Sequence, residues 1–225
     1  MIRVFPDHET MSREAAARII TAGASALVDR DRFDLVLSGG RTPRRCYEVL
    51  AERMKDEPAF WNDTHLWWGD ERCIDPDHPD SNYRLVVETL LGVIPVPDAN
   101  VHRIEAERPD REAAAAEYES TFPAYPDLLL LGMGADGHVA SLFPHAATLD
   151  ERGRRFVTTI APVEPAARIT LTPRVITDAR SILVLVSGRE KTDALQRLVI
   201  DDDPHELPAL LADSGTWFVT QDAAG

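Results

Sequence analysis

The sequence predicts a three-layer α/β fold, in which helices flank a mostly parallel, doubly wound sheet of the Rossmann-like kind. Short apolar runs of strand length alternate with longer stretches of helical periodicity along the 225 residues. Several runs, including Phe33–Leu37 (FDLVL) and Ile182–Val186 (ILVLV), are apolar at nearly every consecutive position. Such runs are typical of parallel strands that are buried on both faces. No shift in composition marks a domain boundary, so we expect one domain over residues 1–225.

The individual elements follow from the length and period of each apolar pattern. Short continuous apolar runs predict strands, and longer stretches with helical spacing predict helices. The predicted strands are Ile2–Phe5, Phe33–Ser38, His65–Trp68, Val101–Ile104, Asp127–Leu131, Phe156–Ile160, Arg168–Leu171, Ile182–Val186 and Trp217–Thr220. The predicted helices are Ser12–Val28, Pro43–Lys55, Ser81–Leu91, Asp110–Ser120 and Glu190–Val199.

The composition excludes several classes of protein. With 38 acidic and 24 basic residues the formal charge is −14, which argues against a partner that is a nucleic acid or an acidic membrane. The longest apolar runs have four or five residues, whereas a helix needs about 20 to span a bilayer. The first residues carry charge and proline where a signal peptide is apolar. We expect a cytoplasmic monomer, with a dimer as the alternative, in which Cys46 and Cys73 are reduced.

The segment Ser38–Pro43 (SGGRTP) follows a predicted strand and opens a predicted helix. Paired glycines allow a tight turn, Thr42 suits the N-cap, and Pro43 suits the first helical position. A helix N-terminus of this kind presents free N–H groups that can bind a phosphate. The alternative is a plain turn between strand and helix.

The segment Leu131–His138 (LGMGADGH) also follows a predicted strand, and it contains the pattern G-x-G-x-x-G. A dinucleotide site further requires a long helix and an acidic residue about 20 positions later, at the end of a second strand. Pro144 interrupts any helix here, and Asp150 comes before the next strand. We therefore favour a pocket that Asp136 and His138 face together, where an imidazole can act as a base near neutral pH.

Four further charged residues lie near the ends of predicted strands. Asp70 and Arg72 could both point at a substrate, although taken alone this spacing favours a surface ion pair. Arg168 and Lys191 could supply the positive charge that an acidic protein needs for an anionic ligand. No set of histidines and acids has the spacing of a zinc site, so we expect no metal.

Five segments in this order resemble the 6-phosphogluconolactonase family, within the superfamily of glucosamine/galactosamine-6-phosphate isomerases. They are SGGRTP (38–43), WGDER (68–72) with DHPDSNY (77–83), DLLLLGMGADGHVASLFP (127–144), RITLTP (168–173) and VSGREK (186–191). The related deaminases read Phe-Asn-Glu-Pro after the histidine segment. This chain has Ala140–Pro144 (ASLFP) there, which is similar to the lactonase branch.

The resemblance implies hydrolysis of 6-phospho-D-glucono-1,5-lactone to 6-phospho-D-gluconate in the oxidative pentose phosphate pathway, without a metal or cofactor. By position it implies a catalytic set of His138 as general base, Asp136, Arg72 and Asp70, and a phosphate-binding set of Gly39, Gly40, Thr42, Arg168 and Lys191. Arg41 stands where the family more often has Ser or Gly, and its role stays open. The alternatives are a phosphosugar deaminase or isomerase, and a non-catalytic phosphosugar sensor.

Overall fold

A computed structural model describes residues 1–225 and confirms the predicted α/β architecture. A central sheet of seven parallel strands has the order β1-β10-β9-β6-β2-β3-β5, and a smaller antiparallel sheet of three has the order β4-β8-β7. The strands are β1 (Ile2–Phe5), β2 (Phe33–Leu37), β3 (Thr64–Trp68), β4 (Asp70–Arg72), β5 (Val101–His102), β6 (Leu128–Gly132), β7 (Phe156–Ile160), β8 (Ala167–Leu171), β9 (Ile182–Val186) and β10 (Thr216–Thr220).

Eight α-helices flank the sheets. They are α1 (His8–Arg30), α2 (Arg41–Met54), α3 (Pro58–Trp61), α4 (Asn82–Val86), α5 (Arg111–Thr121), α6 (Pro173–Asp178), α7 (Thr192–Arg197) and α8 (Gln221–Ala224). Side chains cap the starts of α1, α4 and α5, where Asp7, Ser81 and Asp110 each accept a hydrogen bond from a free backbone N–H. None of these helices combines the length and the apolar character that crossing a bilayer requires.

The core explains why the central strands are so apolar. All five residues of β2 and all five of β9 are buried, as parallel strands covered on both faces must be. One cluster of 58 buried residues extends through the molecule, and it includes Phe156, Ile169 and Leu171 from the small sheet. The two sheets therefore share one core.

The small sheet differs from the prediction, which placed every strand in a mostly parallel arrangement. Only residues 161–166 connect β7 to β8, and a parallel pairing needs a crossover of a dozen or more residues. These strands therefore pair as an antiparallel hairpin. β4, which joins the edge of this hairpin, was not predicted because three residues are too few to show a period.

Three helix starts also differ from the prediction. α1 begins at His8, four residues before the predicted Ser12, with Asp7 as its N-cap. α2 begins at Arg41, with Gly40 as its N-cap, so Thr42 is not the cap. Gly40 has φ +92°, a conformation that glycine adopts at little cost and Thr does not. A 3₁₀ turn over Arg189–Lys191 precedes α7, which shortens the helix predicted from Glu190.

Candidate active site

The carboxyl ends of four neighbouring strands build one cavity. β9, β6, β2 and β3 are adjacent and parallel, so the segments that follow them meet at the same edge of the sheet. The cavity has a volume of about 360 Å³, and seven of the nine predicted site residues line it: Gly39, Gly40, Thr42, Asp70, Arg72, His138 and Lys191. A larger groove of about 610 Å³ lies beside α5 and His102, and none of the predicted site residues lines it.

The loop between β2 and α2 is held in place from two sides. The buried Tyr47 hydroxyl accepts a hydrogen bond from the Ser38 N–H at 2.9 Å and donates one to the Ser38 carbonyl at 2.7 Å. At Gly39 a Cβ atom would lie 1.8 Å from the side-chain oxygen of Asn82, so only glycine fits. His8 Nε2 donates to the carbonyl oxygen of Thr42 at 2.9 Å. The start of α2 is therefore held in place facing the cavity, where its free N–H groups would suit an anion.

His138 and Asp136 form a hydrogen-bonded pair at the edge of the cavity. The imidazole Nδ1 lies 2.6 Å from Asp136 Oδ1. Partial burial raises the pKa of Asp136, but the hydrogen bonds and charge of His138 outweigh it, and the pKa lies below its usual value. The ionised carboxylate therefore accepts Nδ1–H, which leaves Nε2 free to take a proton. Only glycine fits at position 134, because a Cβ atom at Gly134 would lie 2.1 Å from His138 Nδ1.

Asp70 and Arg72 project from alternate positions of β4. Asp70 is buried and accepts a hydrogen bond from the Ser141 hydroxyl at 2.6 Å. Arg72 donates to the backbone carbonyl of Asp80. The two side chains form no salt bridge with each other, so the interpretation as a surface ion pair is wrong. Both line the cavity instead.

The two predicted cations occupy different positions. Lys191 lines the cavity, whereas Arg168 does not. Arg168 lies on β8 directly across from Arg72, is 5% exposed, and has a buried Nη1 with no hydrogen-bond partner. Burial and the charge of Arg72 lower the pKa of Arg168. Arg72 Nε, on the neighbouring strand, is likewise buried without a hydrogen-bond partner, so two guanidinium groups with unused donors lie side by side here.

Several side chains of the site were not predicted from the sequence. Asn82 and Ser141 lie within the segments that carry the family resemblance, so their position in those motifs was the available signal. Tyr118 lies outside the cavity and has no such signal, although its hydroxyl binds both backbone groups of Trp68 at the end of β3, as Tyr47 does for Ser38. A buried tyrosine in a helix is indistinguishable in sequence from any other core aromatic residue.

Comparisons with known proteins show which family the chain belongs to. The model of the family described as glucosamine-6-phosphate isomerases/6-phosphogluconolactonase matches residues 6–219. The chain belongs to this family. A 6-phosphogluconolactonase from Synechocystis sp. is 36% identical to this family member over 92% of the chain and 89% of the relative. One from Mycobacterium tuberculosis is 33% identical over 99% of the chain and 96% of the relative.

Solved structures extend the comparison to three dimensions. The crystal structure of a 6-phosphogluconolactonase from Thermotoga maritima superimposes on this family member with a TM-score of 0.86 at 32% identity, over 98% of this chain and 99% of that one. A monomeric glucosamine-6-phosphate deaminase superimposes with a TM-score of 0.85 at 21% identity. The second likeness shows a shared fold only.

Proposed function

We propose that this family member is a 6-phosphogluconolactonase, which hydrolyses 6-phospho-D-glucono-1,5-lactone to 6-phospho-D-gluconate with His138 as the general base. The curated relatives named above support the activity. The observation that carries the assignment of the base is the hydrogen bond of 2.6 Å between His138 Nδ1 and Asp136, at a cavity that also holds Lys191 and the start of α2. The cytoplasmic location, the single domain and the monomeric state are part of the same proposal.

The reaction begins with the attack of water on C1 of the lactone. His138 Nε2 takes a proton from the water as the new C–O bond forms, while Asp136 stabilises the imidazolium that results. General-base catalysis of this kind contributes about 10²–10⁴-fold. Arg72, or a backbone N–H of the turn over residues 132–137, stabilises the negative charge on the carbonyl oxygen. The ring C–O bond then breaks, and the protonated His138 gives its proton to the departing oxygen.

The phosphate end of the substrate is bound far from the reacting carbon. The N–H groups at the start of α2 and the Lys191 ammonium face the same cavity and suit a dianion. The unpaired Arg168 guanidinium lies next to Arg72 and provides further positive charge. Binding energy from this end positions C1 against the base, which accelerates the reaction without any new chemistry at the reacting carbon.

The proposed mechanism uses no metal. A lactone is an activated ester, so a base and an oxyanion donor suffice. The chain contains no group of three or more His, Cys, Asp or Glu side chains placed to hold a metal ion. Treatment with a chelator is therefore expected to leave kcat unchanged, and a loss of activity that added metal restores would contradict the mechanism.

A coupled assay tests the function. Freshly prepared phosphogluconolactone is supplied with 6-phosphogluconate dehydrogenase, and NADPH is followed above the spontaneous background. We expect the wild-type chain to accelerate hydrolysis, and His138→Asn to lower kcat by at least about 10²-fold with product binding preserved. Release of ammonia from glucosamine 6-phosphate without lactone hydrolysis would contradict the function, and more than a tenth of the activity in His138→Asn would remove His138 from the mechanism.

A further inference from the structure

Asp70 is held by two neutral side chains from separate parts of the chain. The Ser141 hydroxyl donates to Asp70 Oδ2 at 2.6 Å. The Asn82 amide donates to the Asp70 carbonyl oxygen at 2.9 Å and to Oδ1 at 3.3 Å. The three residues are 2–8% exposed. The direction of the Asp70 carboxylate is therefore set by β4, by α4 and by the loop after β6 together.

A second buried carboxylate fixes Asn82. Glu71 accepts hydrogen bonds from the backbone N–H groups of Asn82 at 2.8 Å and Tyr83 at 2.7 Å, and from the Ser81 hydroxyl at 3.2 Å. It also accepts one from the Arg72 N–H at 2.7 Å. The start of α4 is thereby tied to β4, so Asn82 cannot move independently of Asp70.

Only two acidic side chains line the cavity, those of Asp70 and Glu190. Glu190 is half-exposed and lies beside Arg41 and Lys191, so cations of the protein already surround it. Asp70 is the only buried carboxylate in the lining. Oδ1 receives a single long hydrogen bond, so it retains a lone pair for a donor from the ligand. An ionised carboxylate accepts hydrogen bonds only, and the groups of a sugar lactone that donate them are its ring hydroxyls.

We propose that Ser141 and Asn82 are positioning residues that direct the Asp70 carboxylate at a ring hydroxyl of the lactone. This inference rests on the proposed function and adds to it a recognition element for the sugar ring, separate from the phosphate end. Ser141 acts through Asp70 and does not itself touch the reacting carbon. Its removal leaves Oδ2 without its donor and frees the carboxylate to rotate away from the substrate.

The experiment compares Ser141→Ala with Ser12→Ala. Ser12 is a matched control because its hydroxyl is fully buried in α1 and has no hydrogen-bond partner. Both variants are assayed with 6-phosphogluconolactone, with its 2-deoxy, 3-deoxy and 4-deoxy analogues, and with phosphate-free gluconolactone. Thermal unfolding and inhibition by inorganic phosphate are measured for both.

We expect Ser141→Ala to lower kcat/KM about tenfold on both the phosphorylated and the phosphate-free lactone, with the inhibition constant of inorganic phosphate unchanged. One deoxy analogue should be poor for the wild type, and on that analogue Ser141→Ala should cause no further loss, because the hydroxyl that Asp70 binds is absent. A merely structural defect would add to the loss on every analogue.

Two results would overturn the inference while leaving the proposed function intact. The first is that Ser141→Ala has the same kcat/KM as Ser12→Ala on the parent lactone. The second is that, on all three deoxy analogues, the loss of kcat/KM caused by Ser141→Ala adds to the loss caused by the missing hydroxyl. A wild-type chain that hydrolyses no lactone would instead end the proposed function, and this inference with it. Should Ser141→Ala unfold, Asn82→Ala is assayed with the three deoxy analogues, and its loss is likewise expected not to add on the one poor analogue. Phosphate inhibition is not compared for this variant, because Asn82 also packs against Gly39.

Discussion

At the scale of single residues, the site depends on what surrounds His138. Its ring is oriented by the Asp136 carboxylate at 2.6 Å, and it packs against Phe143 with ring centroids 4.7 Å apart. Gly134 leaves room for the ring, since any side chain at this position would overlap Nδ1. The hydrogen bond to Asp136 and the contact with Phe143 orient the ring, and Gly134 leaves space for it. Together they determine which ring nitrogen faces the cavity.

Replacement of Asp136 by Asn tests this orientation. The amide has nearly the shape of the carboxylate but neither holds the Nδ1–H tautomer reliably nor stabilises the imidazolium. We expect kcat to fall about 10²-fold or more, with inhibition by 6-phosphogluconate changed less than threefold. Steady-state kinetics with product inhibition measure both. A kcat within threefold of the wild type would show that Asp136 does not act through His138.

Substitutions of Lys191 and Arg168 should differ in their effect on stability as well as in their kinetics. Lys191→Met should raise KM about tenfold or more with a small change in kcat, because it removes the cation proposed to bind the phosphate. Arg168→Met should change KM in the same direction, because it removes positive charge next to Arg72. Arg168 is buried without a partner, so Arg168→Met should also keep or raise the unfolding temperature. Kinetics and thermal unfolding of the same samples check this. An unchanged KM in both variants would place the phosphate elsewhere.

At the scale of elements, the edge of the central sheet at β3 and β5 carries a histidine pair. His65 Nδ1 lies 2.9 Å from His102 Nε2, and the His102 ring stacks on Trp67 with centroids 3.8 Å apart. Burial, and next the charge of His65, lower the pKa of His102 from 6.5 to about 4. Burial also lowers the pKa of His65. The folded state therefore favours neutral rings at this edge.

We expect this histidine pair to make the protein less stable in mild acid. Between pH 6.5 and about 4 the unfolded chain binds a proton at His102 that the folded chain does not. The contribution of the neutral His102 ring to the free energy of unfolding is therefore complete above pH 6.5 and is lost as the pH falls towards 4. His102→Phe keeps an aromatic ring against Trp67 and removes the titration. Urea unfolding at pH 7.5 and pH 4.5 should show a smaller decrease for the variant, and equal decreases would contradict the assignment.

At the scale of the whole molecule, the two sheets are coupled through the core and through the site. Gly69 joins β3 of the central sheet to β4 of the small sheet, and its N–H donates to the Leu37 carbonyl while its carbonyl accepts from Leu171. The small sheet supplies Asp70 and Arg72, and the central sheet supplies the remaining loops of the cavity. The site therefore exists only when both sheets are assembled.

A single unfolding transition should result from this arrangement. The four tryptophans are all buried, and all lie outside the small sheet: Trp61, Trp67, Trp68 and Trp217. Their fluorescence thus reports on the central part of the molecule, whereas far-ultraviolet circular dichroism reports on all elements. We expect the two signals to give the same guanidinium midpoint. Separate midpoints would show that the chain holds two independent folding units.

Local sequence patterns were enough to predict the central strands and the loops that follow their carboxyl ends. Buried parallel strands must be apolar at consecutive positions, and the segments after them must reach the same sheet edge, so His138, Asp136 and the Gly39–Gly40 turn could be assigned from local pattern. Other features could be seen only in the folded chain. Asp70 binds Ser141 and Asn82, and Arg168 lies unpaired beside Arg72. The strands β4, β7 and β8 form a sheet of their own. These contacts join residues up to 100 positions apart, as Asp70 and Thr170 are, and no local period or propensity encodes which distant strand or side chain becomes a neighbour.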